Sequence, residues 1–146
     1  MQSLERLKPV SVLLLRLGIA VVFLGTGYDK LFRSPTKWLV WFPHQGYPSY
    51  FAYIAGTIEF FGAILLLVGL LTRGVALLFA LQMGIAEATV TAWHANIYAA
   101  TSYAVPLLLC LSCFAIATMG PGMLSLDDVL EARWPANKRK YAPEVP

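Results

Sequence analysis

Four long apolar runs, separated by short polar stretches, set the strongest limit on what this chain can fold into. They cover about residues 10–28, 50–71, 74–93 and 101–119. A helix needs about 20 mostly apolar residues to cross the hydrocarbon core of a bilayer, and each run is close to that length. Because backbone groups in lipid must hydrogen-bond within their own segment, the runs predict an all-α polytopic membrane protein. Its four transmembrane helices form an antiparallel bundle.

The composition favours the same fold class. Hydrophobic residues make up 58% of the 146 residues and the mean hydropathy is +0.65, whereas only 13% are charged. Soluble domains keep about a quarter of their residues charged, so most of this surface is expected to face a lipid bilayer. The net charge of +3 comes from residues at the ends of the apolar runs. Since they form no clustered basic patch, nucleic-acid binding is excluded, and residues 1–146 are interpreted as one transmembrane domain.

The connections between the runs carry their own signals. Residues 33–49 combine prolines with aromatic residues that settle at the headgroup level, which predicts a short interfacial helix over about residues 36–42. Residues 120–146 form a C-terminal tail, in which Ser125 and Asp128 have the spacing of a capping box that opens a short helix.

Basic residues in the loops predict the orientation, because cytoplasmic loops carry more Lys and Arg. Seven basic residues fall on one side and three on the other. The larger set is Arg6, Lys8, Arg73, Arg133, Lys138, Arg139 and Lys140, and the smaller set is Lys30, Arg33 and Lys37. Both termini are therefore expected in the cytoplasm. Lys30 and Arg73 are interpreted as structural or topology residues, with Lys30 among the headgroup contacts.

Ionisable residues inside the runs are candidates for function, because a charge at bilayer depth costs several kcal/mol unless it has a partner. Arg16 and Glu59 lie in the first two runs, and Glu87 shares one helix face with His94 in the third. One interpretation is an Arg16–Glu59 pair that only fixes the register of two helices. The other is a ligand-binding pocket that these four residues line together.

Two cysteines, Cys110 and Cys113, lie in the fourth run at the spacing of dithiol redox centres. They are also small enough to be packing residues, which is the favoured interpretation because thiolates form poorly in apolar surroundings. Catalysis by this pair remains the minority hypothesis. The sequence predicts no metal site.

The order of several short segments resembles the DoxX family of small bacterial membrane proteins. These are LRLG at residues 15–18, Lys30, IEFFGA at 58–63, GLLTR at 69–73 and GPGMLSLD at 120–127. The resemblance implies a four-helix protein of the inner membrane whose recurring positions match Arg16, Lys30, Glu59 and Arg73. It also implies a link to respiratory or sulfur oxidoreductase systems, such as a subunit of a thiosulfate:quinone oxidoreductase.

The leading functional expectation is a membrane subunit of a respiratory or sulfur/thiol oxidoreductase that binds quinone or another lipophilic small molecule. Whether the chain itself catalyses a reaction stays open at this point. Two alternatives are a small proton- or ion-coupled transporter that uses Glu59 and Glu87, and a helical scaffold for partner membrane proteins or a second copy. Quinone is the one cofactor expected.

Overall fold

The computed structural model describes residues 8–93, 100–120, 122 and 125–127. Within them every regular element is a helix, and no strand is present. The five α-helices are α1 Lys8–Tyr28, α2 Pro35–His44, α3 Phe51–Val68, α4 Thr72–Trp93 and α5 Ala100–Met119. A π-helical turn, Asp29–Arg33, extends α1. The predicted positions of all five helices are confirmed to within a few residues, while the proposed helix after Ser125 extends beyond the described part.

The long helices form a ring in which α3 follows α1, α4 follows α3, and α5 lies between α4 and α1. Three close contacts fix their directions. Lys30 at the end of α1 meets Gly56 near the start of α3, and Arg16 meets Gly69 just after the end of α3. Gly120, after α5, meets Arg73 at the start of α4. Helices α1 and α3 are therefore antiparallel, and so are α4 and α5, as predicted.

Among the described residues, two helical segments are long and apolar enough to cross a membrane, Pro9–Arg33 and Phe51–Val68. Ala104–Met119 is apolar but shorter, and α4 carries polar groups along its length. Many large apolar side chains on the four long helices are exposed, among them Leu14, Val21, Phe61, Leu81 and Leu108. An apolar surface of this extent is typical of contact with lipid.

The bundle core lies where α1, α3, α4 and α5 meet. The Phe23 and Phe79 rings stack with their centroids 3.9 Å apart, which joins α1 to α4. Gly62 on α3 makes room for that stack, since a Cβ there would lie 2.7 Å from the Phe79 ring. Cys113 and Ile116 complete the core from α5 and are fully buried. Small residues at such contacts let helices approach closely without a strong hydrophobic driving force.

Candidate functional site

Two glycines bring α1 and α3 unusually close together. A Cβ at Gly27 would lie 2.6 Å from the backbone nitrogen of Phe60, and a Cβ at Gly56 would lie 2.9 Å from the Lys30 Cβ. Neither helix could approach so closely with larger residues at these positions. The seam formed by Gly27 and Gly56 therefore determines which polar side chains of the two helices can meet.

The π-helical turn carries Lys30 into the bundle just beyond this seam. Lys30 is only 7% exposed, and its Nζ lies 2.6 Å from Oε2 of Glu59, which is 1% exposed. Glu59 is eight residues after Phe51, or about 12 Å along α3, so the pair is near the middle of the helix. π-Helical turns are frequent at functional sites. The interpretation of Lys30 as a headgroup contact is wrong, since its ammonium group is buried against a carboxylate.

Gln82 on α4 completes a three-residue group, which we call the Lys30–Glu59–Gln82 centre. Its Nε2 donates a 2.7 Å hydrogen bond to Oε1 of Glu59. Both carboxylate oxygens thus have a donor from a different helix. The amide oxygen of Gln82 is buried and has no hydrogen-bond partner among the residues that the structure describes. A buried acceptor without a donor costs about 1 to 3 kcal/mol, which makes this atom the exceptional feature of the centre.

An aromatic residue of α2, Trp38, lies beside the centre. The Lys30 Nζ is 4.7 Å from the Trp38 ring centroid, within the range of a cation–π interaction. Trp38 Nε1 also donates to Oδ2 of Asp29 at 2.8 Å. The Tyr47 and Thr89 hydroxyls, 2.8 Å apart, tie the following loop to α4. The α2 helix thus packs beside Lys30 through Trp38, while its position at a membrane interface remains a prediction.

Arg16 does not belong to this centre, so the predicted Arg16–Glu59 pair is wrong. Its guanidinium is next to Gly69, ten residues beyond Glu59 on α3, which is about 15 Å along the helix. The reason is the axial register of α1 against α3, which brings Lys30 rather than Arg16 level with Glu59. Arg16 is nevertheless 1% exposed and lies at the opposite end of the bundle.

At that end, Asp127 joins three segments of the chain. Its carboxylate oxygens accept hydrogen bonds of 2.8 Å from the backbone N–H groups of Leu71 and Thr72. Its own N–H donates to the Gly69 carbonyl at 3.0 Å. Gly69 has a φ of 76°, which glycine adopts without strain. The carboxylate thus satisfies N–H groups at the start of α4 that have no partner within the helix.

These contacts also set the protonation of Asp127. Burial raises the pKa of its carboxyl, but the hydrogen bonds from Thr72 and Leu71 and the nearby Arg16 charge outweigh that effect. The pKa is therefore lowered from its ordinary value of 3.8. The stabilising contribution of the carboxylate is full above pH 3.8 and is lost as the pH falls through the lower pKa of the folded state.

We expect Asp127→Ala to lower the free energy of unfolding by about 1 to 2 kcal/mol, the usual cost of losing a helix cap. Thermal unfolding in detergent at several pH values measures this effect. Leu126→Ala is the control, since Leu126 is 42% exposed and makes no cap. The difference in the free energy of unfolding between Asp127→Ala and the unaltered protein should shrink as the pH falls below 3.8. A difference independent of pH would contradict a role for the ionised carboxylate.

The remaining candidates are not brought to the centre by the described contacts. Glu87 is partly buried on α4, five residues beyond Gln82, and His94 lies outside the described residues. Their pocket remains a prediction. Cys110 donates from Sγ to the Ala80 carbonyl at 3.2 Å, while Cys113 is buried in the core. Both cysteines thus have packing contacts between α4 and α5, and redox activity of the pair stays untested.

With the geometry established, comparison with known proteins assigns the chain to a family. The DoxX family model matches residues 11–92, more than half of the chain. The chain belongs to the DoxX family. The matched region contains all three residues of the Lys30–Glu59–Gln82 centre, whereas the cysteines and Asp127 lie outside it.

The chain is similar to two bacterial proteins, one of which is named as an inner membrane protein. "Putative oxidoreductase CatD" of Bacillus subtilis (strain 168) is 36% identical over 74 residues, 51% of this chain and 54% of that protein. "Inner membrane protein YqjF" of Escherichia coli (strain K12) is 25% identical over 136 residues, 90% of this chain and 100% of that protein. The matched region thus spans only about half the length of CatD. No solved structure matches the chain.

Proposed function

We propose that this protein is an inner-membrane subunit of an oxidoreductase system. In this proposal it binds quinone, or a similar lipophilic molecule with oxygen substituents, at the Lys30–Glu59–Gln82 centre. Membership of the DoxX family and the names of the two relatives support the membrane location and the link to redox chemistry. Partner subunits of the oxidoreductase would supply any other redox group, and self-association remains a further prediction.

The observation that carries this proposal is the burial of an ion pair and a glutamine amide near the middle of the bundle. Ionisable groups at this depth are expensive, and in membrane proteins they mark sites of function more often than sites of stability. A pair that only joined two helices would need no third polar group. Gln82 supplies one, and it points an unsatisfied carbonyl oxygen away from Glu59.

Each residue of the centre has a distinct role in this proposal. The Lys30 ammonium has three N–H donors and gives one to Glu59, so others remain for a ligand oxygen. Glu59 holds Lys30 and Gln82 in place across three helices. Trp38 holds the Lys30 ammonium against its ring and so helps to position that donor.

The proposed arrangement in the membrane places all four long helices across the bilayer. The excess of basic residues near Arg73 and in the terminal segments directs that end of the bundle to the cytoplasm. Both termini are then cytoplasmic, the Asp127 contacts lie on the inner side, and α2 lies on the outer surface. A lipid-soluble ligand would enter from the outer half of the bilayer, between the helices beneath α2.

We expect a photoreactive azidoquinone to label the protein saturably in lipid nanodiscs. Mass spectrometry should locate the label in peptides that contain Lys30, Glu59 or Gln82, and an unlabelled quinone should compete with it. Glu59→Gln should raise the half-saturating concentration at least about tenfold, which corresponds to about 1.4 kcal/mol of binding energy. Thr57→Val, an exposed position two residues away on α3, is the matched control. Non-saturable labelling, or equal affinities for both variants, would contradict the proposal.

A transporter that uses Glu59 as a proton carrier is the alternative with a structural basis, because the same buried carboxylate would serve it. The two functions differ in a direct measurement. In proteoliposomes with an imposed pH difference, a binding subunit should give no flux above that of empty vesicles. Proton flux that depends on Glu59 and needs no quinone would favour the transporter.

A further inference from the structure

We infer that the Lys30–Glu59–Gln82 centre selects ligands that donate a hydrogen bond, so that it prefers the hydroxyl form of a quinone to the carbonyl form. This inference rests on the proposed function, because it concerns the same site. It starts from the buried amide oxygen of Gln82, which has no hydrogen-bond partner.

The orientation of the Gln82 amide follows from its neighbour. Glu59 is ion-paired with Lys30, and an ionised carboxylate has acceptors only. Gln82 must therefore turn its NH₂ group toward Glu59, as the 2.7 Å contact requires. A flipped amide would place two acceptors against each other. The carbonyl oxygen is consequently held on the other side of the amide, where the described part of the chain offers it no donor.

The chemistry of the missing partner follows from this arrangement. A carbonyl oxygen of an oxidised quinone is an acceptor and cannot satisfy another acceptor. A phenolic hydroxyl has one O–H donor and can also accept a hydrogen bond, so it fits beside both Gln82 and Lys30. Gln82 as a whole is only partly buried, so part of the residue reaches the surface of the bundle, while its amide oxygen lies inside.

Gln45 shows why burial alone does not define the site. Its Oε1 is also buried without a hydrogen-bond partner. Gln45, however, directly follows α2, outside the long helices. It takes part in neither the ion pair nor the hydrogen bond of the Lys30–Glu59–Gln82 centre, so it provides a matched control for the Gln82 amide. The selectivity is assigned to Gln82, where an ion pair fixes the amide and supplies a donor as well.

The test compares two ligands that differ only in the donor. An alkylphenol and its methyl ether, with the same tail and no redox activity, compete with the azidoquinone in nanodiscs containing the full chain. Affinities are expressed per mole of lipid so that partitioning cancels. The phenol should bind about tenfold more tightly than the ether, the ratio given by one net hydrogen bond. The affinity of a short-tailed quinol should exceed that of its quinone by a similar factor.

Gln82→Met should remove the preference for the phenol, because methionine has an unbranched side chain of similar length but no carbonyl oxygen. Gln45→Met should leave it unchanged.

Equal affinities of phenol and ether for the unaltered protein, or a preference retained in Gln82→Met, would overturn the inference. The proposed quinone site would still stand in either case. If no ligand of either kind competes and the azidoquinone itself shows no saturable labelling, the proposed function fails as well. The phenol and ether comparison needs no variant, so a Gln82→Met protein that fails to fold leaves it decisive.

Discussion

Replacing Lys30 by methionine is expected to lower the free energy of unfolding by about 3 to 5 kcal/mol, the cost of breaking a buried ion pair. Methionine fills a similar volume, but it leaves the Glu59 carboxylate buried without its cation. The carboxylate must then either remain charged in an apolar environment or take up a proton. Both outcomes destabilise the fold, and denaturant or thermal unfolding in bicelles measures the effect.

Lys37→Met is the matched control for this experiment. Lys37 undergoes the same chemical change, and its Nζ lies 5.1 Å from the same Trp38 ring, but the residue is exposed. Its replacement should change the free energy of unfolding by no more than about 0.5 kcal/mol. The double variant Lys30→Met with Glu59→Gln should recover most of the lost stability, because it removes both charges and keeps an amide facing Gln82. Equal losses in Lys30→Met and Lys37→Met would contradict the ion pair.

The helices of this protein were predictable from sequence because the length of an apolar run is a local property. Each run ends where polar or helix-breaking residues begin, and the structure moves those limits by only a few residues. The end of α3 shows the limit of that approach. The apolar run continues to Leu71, but α3 ends at Val68 because Gly69 takes a left-handed conformation. The carboxylate of Asp127, far along the chain, then supports the turn.

The partners of the buried charges were not predictable, because they depend on the axial register of two helices. Arg16, Gly27 and Lys30 lie on one face of the first run, so either basic residue was available to Glu59. The connection between α1 and α3 is too long to fix the register. The seam of Gly27 and Gly56 decides it, and a glycine stripe in a sequence does not reveal which glycine meets which backbone.

Gln82 was recognisable in the sequence as a polar group near the middle of its apolar run, but its contact with Glu59 was not predictable, because that contact depends on rotation about the helix axis. The polar face of Glu87 and His94 suggested which side of α4 turned inward, and Gln82 is on a different side. In the ring, however, α4 packs against two neighbours, α3 and α5, and therefore has two buried sides. The structure uses the Gln82 side against Glu59 on α3, and Cys110 of α5 contacts the neighbouring Ala80 carbonyl.

Gly27→Ala is expected to lower the free energy of unfolding by about 3 kcal/mol, toward the upper end of the usual range for an overpacked core. The added Cβ would lie 2.6 Å from the Phe60 backbone nitrogen, and backbone atoms cannot rotate away as a side chain can. Gly25→Ala is the control, because nothing lies within 4 Å of a Cβ there. Alanine improves helix propensity by about 1 kcal/mol at both positions, so the difference between the variants isolates the contact.

The same substitution connects packing to the candidate site. If α1 moves away from α3 to accommodate the Gly27→Ala methyl group, the Lys30 Nζ can no longer lie 2.6 Å from Glu59. Azidoquinone labelling at Glu59 should therefore weaken at least about tenfold in Gly27→Ala and remain unchanged in Gly25→Ala. Loss of stability without loss of labelling would mean that the ligand does not depend on the Lys30–Glu59 contact. The seam lies one helical turn from the Lys30–Glu59 contact. A helix separation of even 1 Å should therefore change the free energy of unfolding and the azidoquinone labelling together.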